Sequence, residues 1–319
     1  MIEIKREFKK IGTHDGKFHA DEVMATAILN EIFDTELIRT RNKDILDKLD
    51  IVYDVNGGEL DHHGIDKRLR DDGIPFSSCG LVWDKYGRDL LKFKYKDLSD
   101  EDIEDVFNYI DRSLIEGIDA LDNGIWIGKG EIPLMNISTI LSSFNPLWYE
   151  EGMEDDRFNE SVKFATSILN NKINFKISVF KAKEKVIKAY ETRKIPEVII
   201  LETYCPYIEA LKEVDKNSDI LFVIFKTKNN YIIQTVRGED GEDIKKLPKA
   251  WMGKRDKELQ DITGVNDAVF CHTGRFIAAA ESLEGIIKLA KLAIEEPDEK
   301  RKLKTSKFMR FIKGLFLKK

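Results

Sequence analysis

Apolar positions in the first 55 residues alternate between two periods. Residues 9–13 (KKIGT) read as a short strand running into His14. Across 21–33 (DEVMATAILNEIF), Val23, Ala27, Ile28 and Ile32 recur at helical spacing. Residues 36–40 (ELIRT) read as a second strand. Residues 51–55 (IVYDV) read as a third, with the apolar run of a buried parallel strand. Strand, helix, strand, strand is a βαβ-type opening and predicts an open parallel sheet. Ligands gather at the carboxyl ends of such strands. His14 and Asp54 both fall at strand ends, so topology alone brings two distant segments to one edge.

Further along, the pattern predicts helices over 78–93, 100–118 and 133–144. A long charged helical stretch covers 155–193, and composition shifts around Asn145-Pro146. PEVIIL, DILFVIF, YIIQTV and DAVFC then read as strands, and SLEGIIKLAKLAI as a helix packing on them. The expected organisation is a parallel-sheet domain (1–150), a helical connector (151–195), a smaller α/β domain (196–299) and a tail (300–319). In the tail, Phe308, Phe311, Ile312, Leu315 and Phe316 recur at helical spacing among basic residues. This is the pattern of a basic amphipathic helix suited to an anionic membrane surface or nucleic acid, or of a helix docked on its own domain.

Composition narrows the class. With 42% hydrophobic and 34% charged residues, the 319-residue chain has the make-up of a soluble globular protein. Cys79, Cys205 and Cys271 are odd in number and contain no C-x-x-C pair, which argues against a disulfide framework or zinc ribbon and for a reducing, cytoplasmic setting. No apolar signal core opens the sequence, and no run of 18 apolar residues occurs. The net charge of −6 is uneven. The tail from Lys300 carries nine Lys or Arg and no acid, which leaves about −15 on the rest. The bulk surface therefore does not advertise nucleic-acid binding, and a polyanion would be held at local basic sites or by a metal centre.

The chemistry is concentrated in the histidines. All five lie in three motifs: His14 and His19 in THDGKFHADE, His62 and His63 in ELDHHG, and His272 in FCHTGRF. Asp15, Asp21 and Glu22 flank the first pair, and Asp61 precedes the second. Imidazole and carboxylate together are the ligand set of a hydrolytic metal centre. Asp21 and Glu22 would also suit a helix N-terminus with no ligand role. Adjacent histidines in an extended segment point to opposite sides, so one of His62 and His63 can bind a metal while the other faces a substrate. In GIDALDNGIW, Asp119, Asp122 and Asn123 read equally well as turn residues. In FCHTGRFIAAAES, Thr273, Gly274 and Arg275 fall between a strand and a predicted helix, where backbone N–H groups with Arg275 and His272 would make a phosphate clamp. A solvent-facing connector is the bland alternative.

Asp61-His62-His63 together with the upstream His/Asp motif resemble the DHH phosphoesterase superfamily. The chain is more closely similar to the MYG family (melanocyte proliferating gene family), whose members include a metal-dependent 3′-to-5′ RNA exonuclease. THDGKFHADE, RTRNKDILDKLDIVYDVNG, SSCGLVWDKYG, IDALDNGI, FNPLW, CPYIEAL, LPKAWMGKRDKELQDITGV and VFCHTGRFIAA follow the family's order up to about Ala293. The resemblance implies a two-domain DHH-type α/β fold with the active site between the domains. It also implies two divalent ions, usually Mn²⁺, with Mg²⁺ as the alternative. Carried over, the ligands are His14 or His19 with Asp21, Asp54 as the bridge, His62, and one of Asp119 and Asp122. His63 would face the phosphate, and His272, Gly274 and Arg275 would hold the substrate.

The expected function is a metal-dependent phosphodiesterase, a 3′-to-5′ exonuclease on RNA or short oligonucleotides, with a homodimer among the expected assemblies. A small-molecule or cyclic-dinucleotide phosphoesterase would use the same centre. A non-enzymatic metal-binding adaptor tethered by the basic tail is the reading from another class.

Overall fold

The computed structural model describes residues 6–125 and 134–297. The tail and the first residue of the helix predicted from 133 lie outside the described residues. The chain divides into two compact units, 1–177 and 178–319.

In the first unit, β1 (Phe8–Thr13) is the middle strand of a parallel sheet, with β2 (Asp34–Arg39) on one side and β3 (Ile51–Val52) on the other. Ile11 stands beside both Leu37 and Ile51. Helix α1 (Ala20–Ile32) connects β1 to β2 and is buried from Ala20 through Leu29. It packs against α3 (Ser78–Lys94) and α6 (Ile137–Ser142), with the short α2 (Lys43–Leu46) before β3. Strand β3 is shorter than the apolar run IVYDV predicts. Asp54 adopts a left-handed backbone at φ 60° and turns the chain out of the sheet. Only Tyr53 continues the pairing, through a single parallel bridge to Leu60.

The helix predicted over 100–118 is longer and interrupted. It runs as α4 (Asp100–Ile110), a π-helical turn (Asp111–Ile115) and α5 (Glu116–Asp122). Asp119 and Asp122 therefore lie on the last turn of a helix rather than in a loop. Trp83 of α3 stacks on Phe107 of α4 with ring centroids 5.3 Å apart.

The helical stretch expected over 155–193 is α7 (Glu154–Glu191), which ends two residues earlier, and the division between the units falls inside this helix. It is not a bare spacer. Phe158, Val162, Ala165, Leu169 and Ile173 are buried at spacings of three and four within the first unit, and Val186 joins a core cluster of the second.

The second unit has five strands in the order β4-β5-β6-β8-β7: β4 (Val198–Leu201), β5 (Phe222–Lys226), β6 (Tyr231–Thr235), β7 (Ala268–Cys271) and β8 (Ile277–Ala280). Only β4 and β5 pair in parallel. Helices α8 (Ile208–Val214), α9 (Asp256–Thr263) and α10 (Leu283–Glu295) accompany the sheet. Ile286, Leu289, Ala290 and Ala293 give α10 the apolar stripe that packs into one core cluster. Trp251 is 4% exposed in that cluster.

FCHTGRF is the principal departure from expectation. The segment after β7 enters a hairpin, and IAAA at the predicted helix start is strand β8, paired with both β6 and β7. Both faces of β8 are covered. Ala278 and Ala280 belong to one core cluster and Ala279 to the other. Small side chains fit a strand enclosed on both faces, and this tertiary context overrides alanine's helical propensity.

Candidate metal centre

His14 follows β1 and Asp54 follows β3, so the two parallel strands deliver both to one sheet edge. Asp21 and Glu22 stand in the first turn of α1, and His62 follows the Tyr53–Leu60 bridge. Asp122 comes from the end of α5. These side chains converge. His14 Nε2 lies 3.1 Å from Glu22 Oε1 and 3.2 Å from Asp54 Oδ2. His62 Nε2 lies 3.1 Å from Asp54 Oδ1, 3.2 Å from Asp122 Oδ2 and 3.7 Å from Asp21 Oδ2. Asp54 thus presents one oxygen to each imidazole.

The donor sets overlap. His14, His19 and Glu22 bring one ligand atom each within 4.8 Å of one another. So do His19, Asp21 and Asp122; Asp54, His62 and His63; and Asp21, Glu22 and Asp54. Asp21 is 1% exposed, yet neither of its oxygens has a hydrogen-bond partner. Glu22 Oε2 and His62 Nδ1 are buried and unpartnered as well. Buried carboxylate oxygens without donors are costly, and a divalent cation is the partner that this cluster of nitrogen and oxygen donors suits.

The electrostatics agree. Burial, then the neighbouring charges of Asp54, Glu22 and Asp122, push Asp21 well above the usual carboxylate range. Burial disfavours a charged His14, but hydrogen bonds to Asp54 and Glu22 outweigh it and raise its pKa to about 10. His62 is raised by Asp54 and Asp122 against the same burial penalty. Those imidazoliums in turn hold Asp54 below its ordinary value, against its own desolvation. Without cations, protons on His14 and His62 offset the carboxylates. A metal-ligating imidazole must be neutral, so loading should release protons. Calorimetric titration of Mn²⁺ at pH 7 in buffers of different ionisation enthalpy should show net proton release of about one or more per chain. A heat independent of buffer would contradict this charge balance.

His63 does not point away from His62 as the alternation of an extended segment predicts; the two ring centroids are 4.2 Å apart, and its Nδ1 lies 3.6 Å from Asp54 Oδ1. Its side chain is 62% exposed, whereas that of His62 is 7% exposed. Asp61 fixes it, with Oδ1 2.8 Å from His63 Nδ1. The backbone N–H groups of His63 and Gly57 donate to the same carboxylate at 3.0 and 2.7 Å. Asp61 is held below its usual pKa by these bonds despite partial burial.

Asp119, a candidate ligand by sequence, does not join the cluster. Its Oδ1 accepts from Ser77 N (3.1 Å), Ser77 Oγ (2.7 Å) and Gly80 N (3.0 Å). Its Oδ2 accepts from Arg70 Nε (2.9 Å) and a terminal guanidinium nitrogen (2.6 Å). Arg70 also pairs with Asp111 in the π-helical turn and lies over the Phe76 ring at 4.5 Å. A Cβ on Gly80 would come within 2.2 Å of Asp119 Oδ2, so only glycine allows this approach. Asp119 therefore ties the start of α3 to α5. Between Ser77 and Gly80, Ser78 Oγ donates to Asp54 Oδ1 at 3.1 Å, and Asp122 lies one turn beyond Asp119.

Three participants escaped the sequence reading. Glu22 was visible as an acid but equally suited a helix N-terminus. Its Oε1 accepts from the His19 backbone N–H at 2.8 Å, so it serves the helix start and His14 together. Ser78 and Arg70 carried no signal that distinguishes them from other polar residues.

In the second unit, His272 Nδ1 accepts from Gly274 N at 2.9 Å, and Arg275 takes a left-handed φ of 59°. A guanidinium nitrogen of Arg275 donates to Leu247 O at 3.2 Å. The clamp envisaged at a helix start is thus a strand–strand turn, closed partly on itself.

Comparison with known proteins places the chain. The profile of MYG1_exonuc, described as "Uncharacterised protein family (UPF0160)", matches residues 10–294. The MYG1 protein C27H6.8 of Caenorhabditis elegans is 31% identical over 91% of this chain and 96% of its own. The MYG1 protein C694.04c of Schizosaccharomyces pombe is 27% identical over 90% and 98%. The human protein called MYG1 exonuclease is 29% identical over 90% and 86%. Among solved structures, RecJ in complex with Mg²⁺ from Thermus thermophilus aligns with 91% of this chain and 50% of that one, at 10% identity and a TM-score of 0.28. With the match running from the first strand of the metal centre to the last helix of the second unit, the chain belongs to the MYG1 family.

Proposed function

We propose that this protein is a metal-dependent phosphodiesterase that removes nucleotides from the 3′ end of RNA or short oligonucleotides. The observation that carries the reading is the pair of buried, unpartnered oxygens on Asp21, set beside an Asp54 carboxylate that serves two imidazoles. The name exonuclease borne by mammalian relatives supports the substrate class.

Two divalent ions would suit the donor set: His14, His19, Glu22 and Asp54 would hold one; Asp21, Asp54, His62 and Asp122 would hold the other. The imidazole donors favour Mn²⁺, while Mg²⁺ prefers oxygen and water. Such ions polarise a phosphoryl oxygen and lower the pKa of water. Asp54 holds His14 and His62 in register with its two oxygens. Ser78 and the left-handed turn at Asp54 keep that carboxylate aimed between them. Asp61 takes the Nδ1 side of His63, leaving Nε2 for the substrate. From that position His63 would hydrogen-bond a phosphoryl or leaving-group oxygen.

RNA labelled at its 5′ end and, separately, at its 3′-terminal nucleotide tests this directly. With Mn²⁺, the 3′ label should appear first as a nucleoside monophosphate while the 5′-labelled strand shortens stepwise, and chelation should stop both. Intact RNA alongside hydrolysis of small phosphomonoesters or cyclic dinucleotides would overturn the exonuclease reading.

A further inference from the structure

The second unit contains a cavity of about 240 Å³ that the metal centre does not use. Helix α8, the end of β6 with the loop that follows, and Phe276 of the β7–β8 hairpin wall it. Its volume is below the roughly 300–1,000 Å³ of drug-sized sites, a size for one nucleoside rather than a dinucleotide.

Two polar side chains in the wall lack protein partners. Tyr207 is 4% exposed, and its hydroxyl makes no hydrogen bond among the described residues. The half-buried amide of Gln234 likewise makes none. On the cavity wall the Tyr207 hydroxyl and the Gln234 amide are both free to meet a ligand. Burial pushes the Tyr207 pKa up to about 12, which keeps the hydroxyl a donor. A hydroxyl and a carboxamide together offer donors and acceptors of the kind a nucleobase edge presents. Phe276, its ring centroid 4.6 Å from that of His272, supplies an aromatic wall, and Leu211 and Val236 supply aliphatic ones. Arg237 is exposed and lines the same cavity, where it can meet an anion.

We propose that this cavity binds a single nucleoside monophosphate, with the base against Tyr207 and Gln234 and the phosphate on Arg237. All the residues belong to the second unit. The choice of a nucleotide over another planar anion rests on the proposed nuclease activity, whose product is a nucleoside monophosphate.

Calorimetry on the full-length, chelator-treated protein tests it, with the four ribonucleoside 5′-monophosphates and ribose 5-phosphate as probes. At least one nucleotide should bind one-to-one, at least tenfold tighter than ribose 5-phosphate. Gln234→Leu should weaken it tenfold or more, and Tyr207→Phe measurably. Tyr207→Phe removes only an unpartnered hydroxyl, so the fold is kept; Arg237→Ala should weaken the nucleotide while leaving the parent nucleoside unchanged. Absence of binding by every nucleotide, equal affinity for ribose 5-phosphate, or unchanged affinity in both Gln234→Leu and Tyr207→Phe would overturn the proposal. The two readings fail separately. RNA degradation without nucleotide binding removes only the cavity assignment. Nucleotide binding without RNA degradation, with the same losses in the variants, removes only the nuclease reading.

Discussion

Asp54→Asn is expected to abolish phosphodiester hydrolysis while leaving the protein folded. Asp54 is the one carboxylate that reaches both His14 and His62, through different oxygens. A carboxamide keeps the shape but loses the charge and one of the two equivalent acceptors. Metal ions contribute several kcal/mol of transition-state stabilisation, and each 1.36 kcal/mol is tenfold in rate, so kcat should fall by about three orders of magnitude or more. Asparagine is preferred to alanine because residue 54 sits at φ 60°. Asparagine tolerates that backbone, whereas alanine would add strain of roughly 1–2 kcal/mol. Steady-state hydrolysis of RNA and far-UV circular dichroism of the variant check the two halves. A folded Asp54→Asn protein within tenfold of wild-type kcat would remove Asp54 from the reaction.

Asp119→Ala should have the largest effect on stability. Asp119 is fully buried and accepts from Ser77, Gly80 and Arg70. Breaking a buried, hydrogen-bonded ion pair by removing one partner costs about 3–5 kcal/mol, and here the donors of Ser77 and Gly80 are orphaned too. Asp119→Asn is milder, since it retains an acceptor for Ser77 and Gly80 but turns an amide toward Arg70. In that variant the effect should reach the metal centre. The start of α3 carries Ser78 to Asp54, and the next turn of α5 carries Asp122 to His62. Groups that orient ligands typically change metal affinity by about 10–100-fold. Urea denaturation of Asp119→Ala and Mn²⁺ titration of Asp119→Asn measure the two effects. Wild-type Mn²⁺ affinity in a measurably destabilised Asp119→Asn would make the Arg70–Asp119 pair structural only.

What the sequence disclosed, and what it hid, follows from the range of the interactions. His14, Asp21, Asp54 and His62 were legible because a parallel-sheet pattern carries strand ends to one edge, and because four histidines beside acids are hard to explain by packing. Asp119 and Asp122 were not separable. They are three residues apart on one helix, and the choice is made by Arg70, 49 residues from Asp119 in the chain. The early end of β3 was hidden because the left-handed turn falls on an aspartate rather than a glycine. The hairpin after β7 was missed because IAAA is a helix former in isolation and a strand only where β6 and β7 enclose it. The cavity beside Phe276 had no local signal, since its walls come from α8, the loop after β6 and the hairpin, none of them adjacent in sequence.

The motifs of the first unit are expected to make one two-ion hydrolytic centre. Equilibrium dialysis of the full-length protein against Mn²⁺, with elemental analysis of the retained metal, tests it most directly. Two ions per wild-type chain and at most one in Asp21→Ala are expected, because Asp21 would hold only one of the two ions. No retained Mn²⁺ in the wild type, or two ions undiminished in Asp21→Ala, would contradict it.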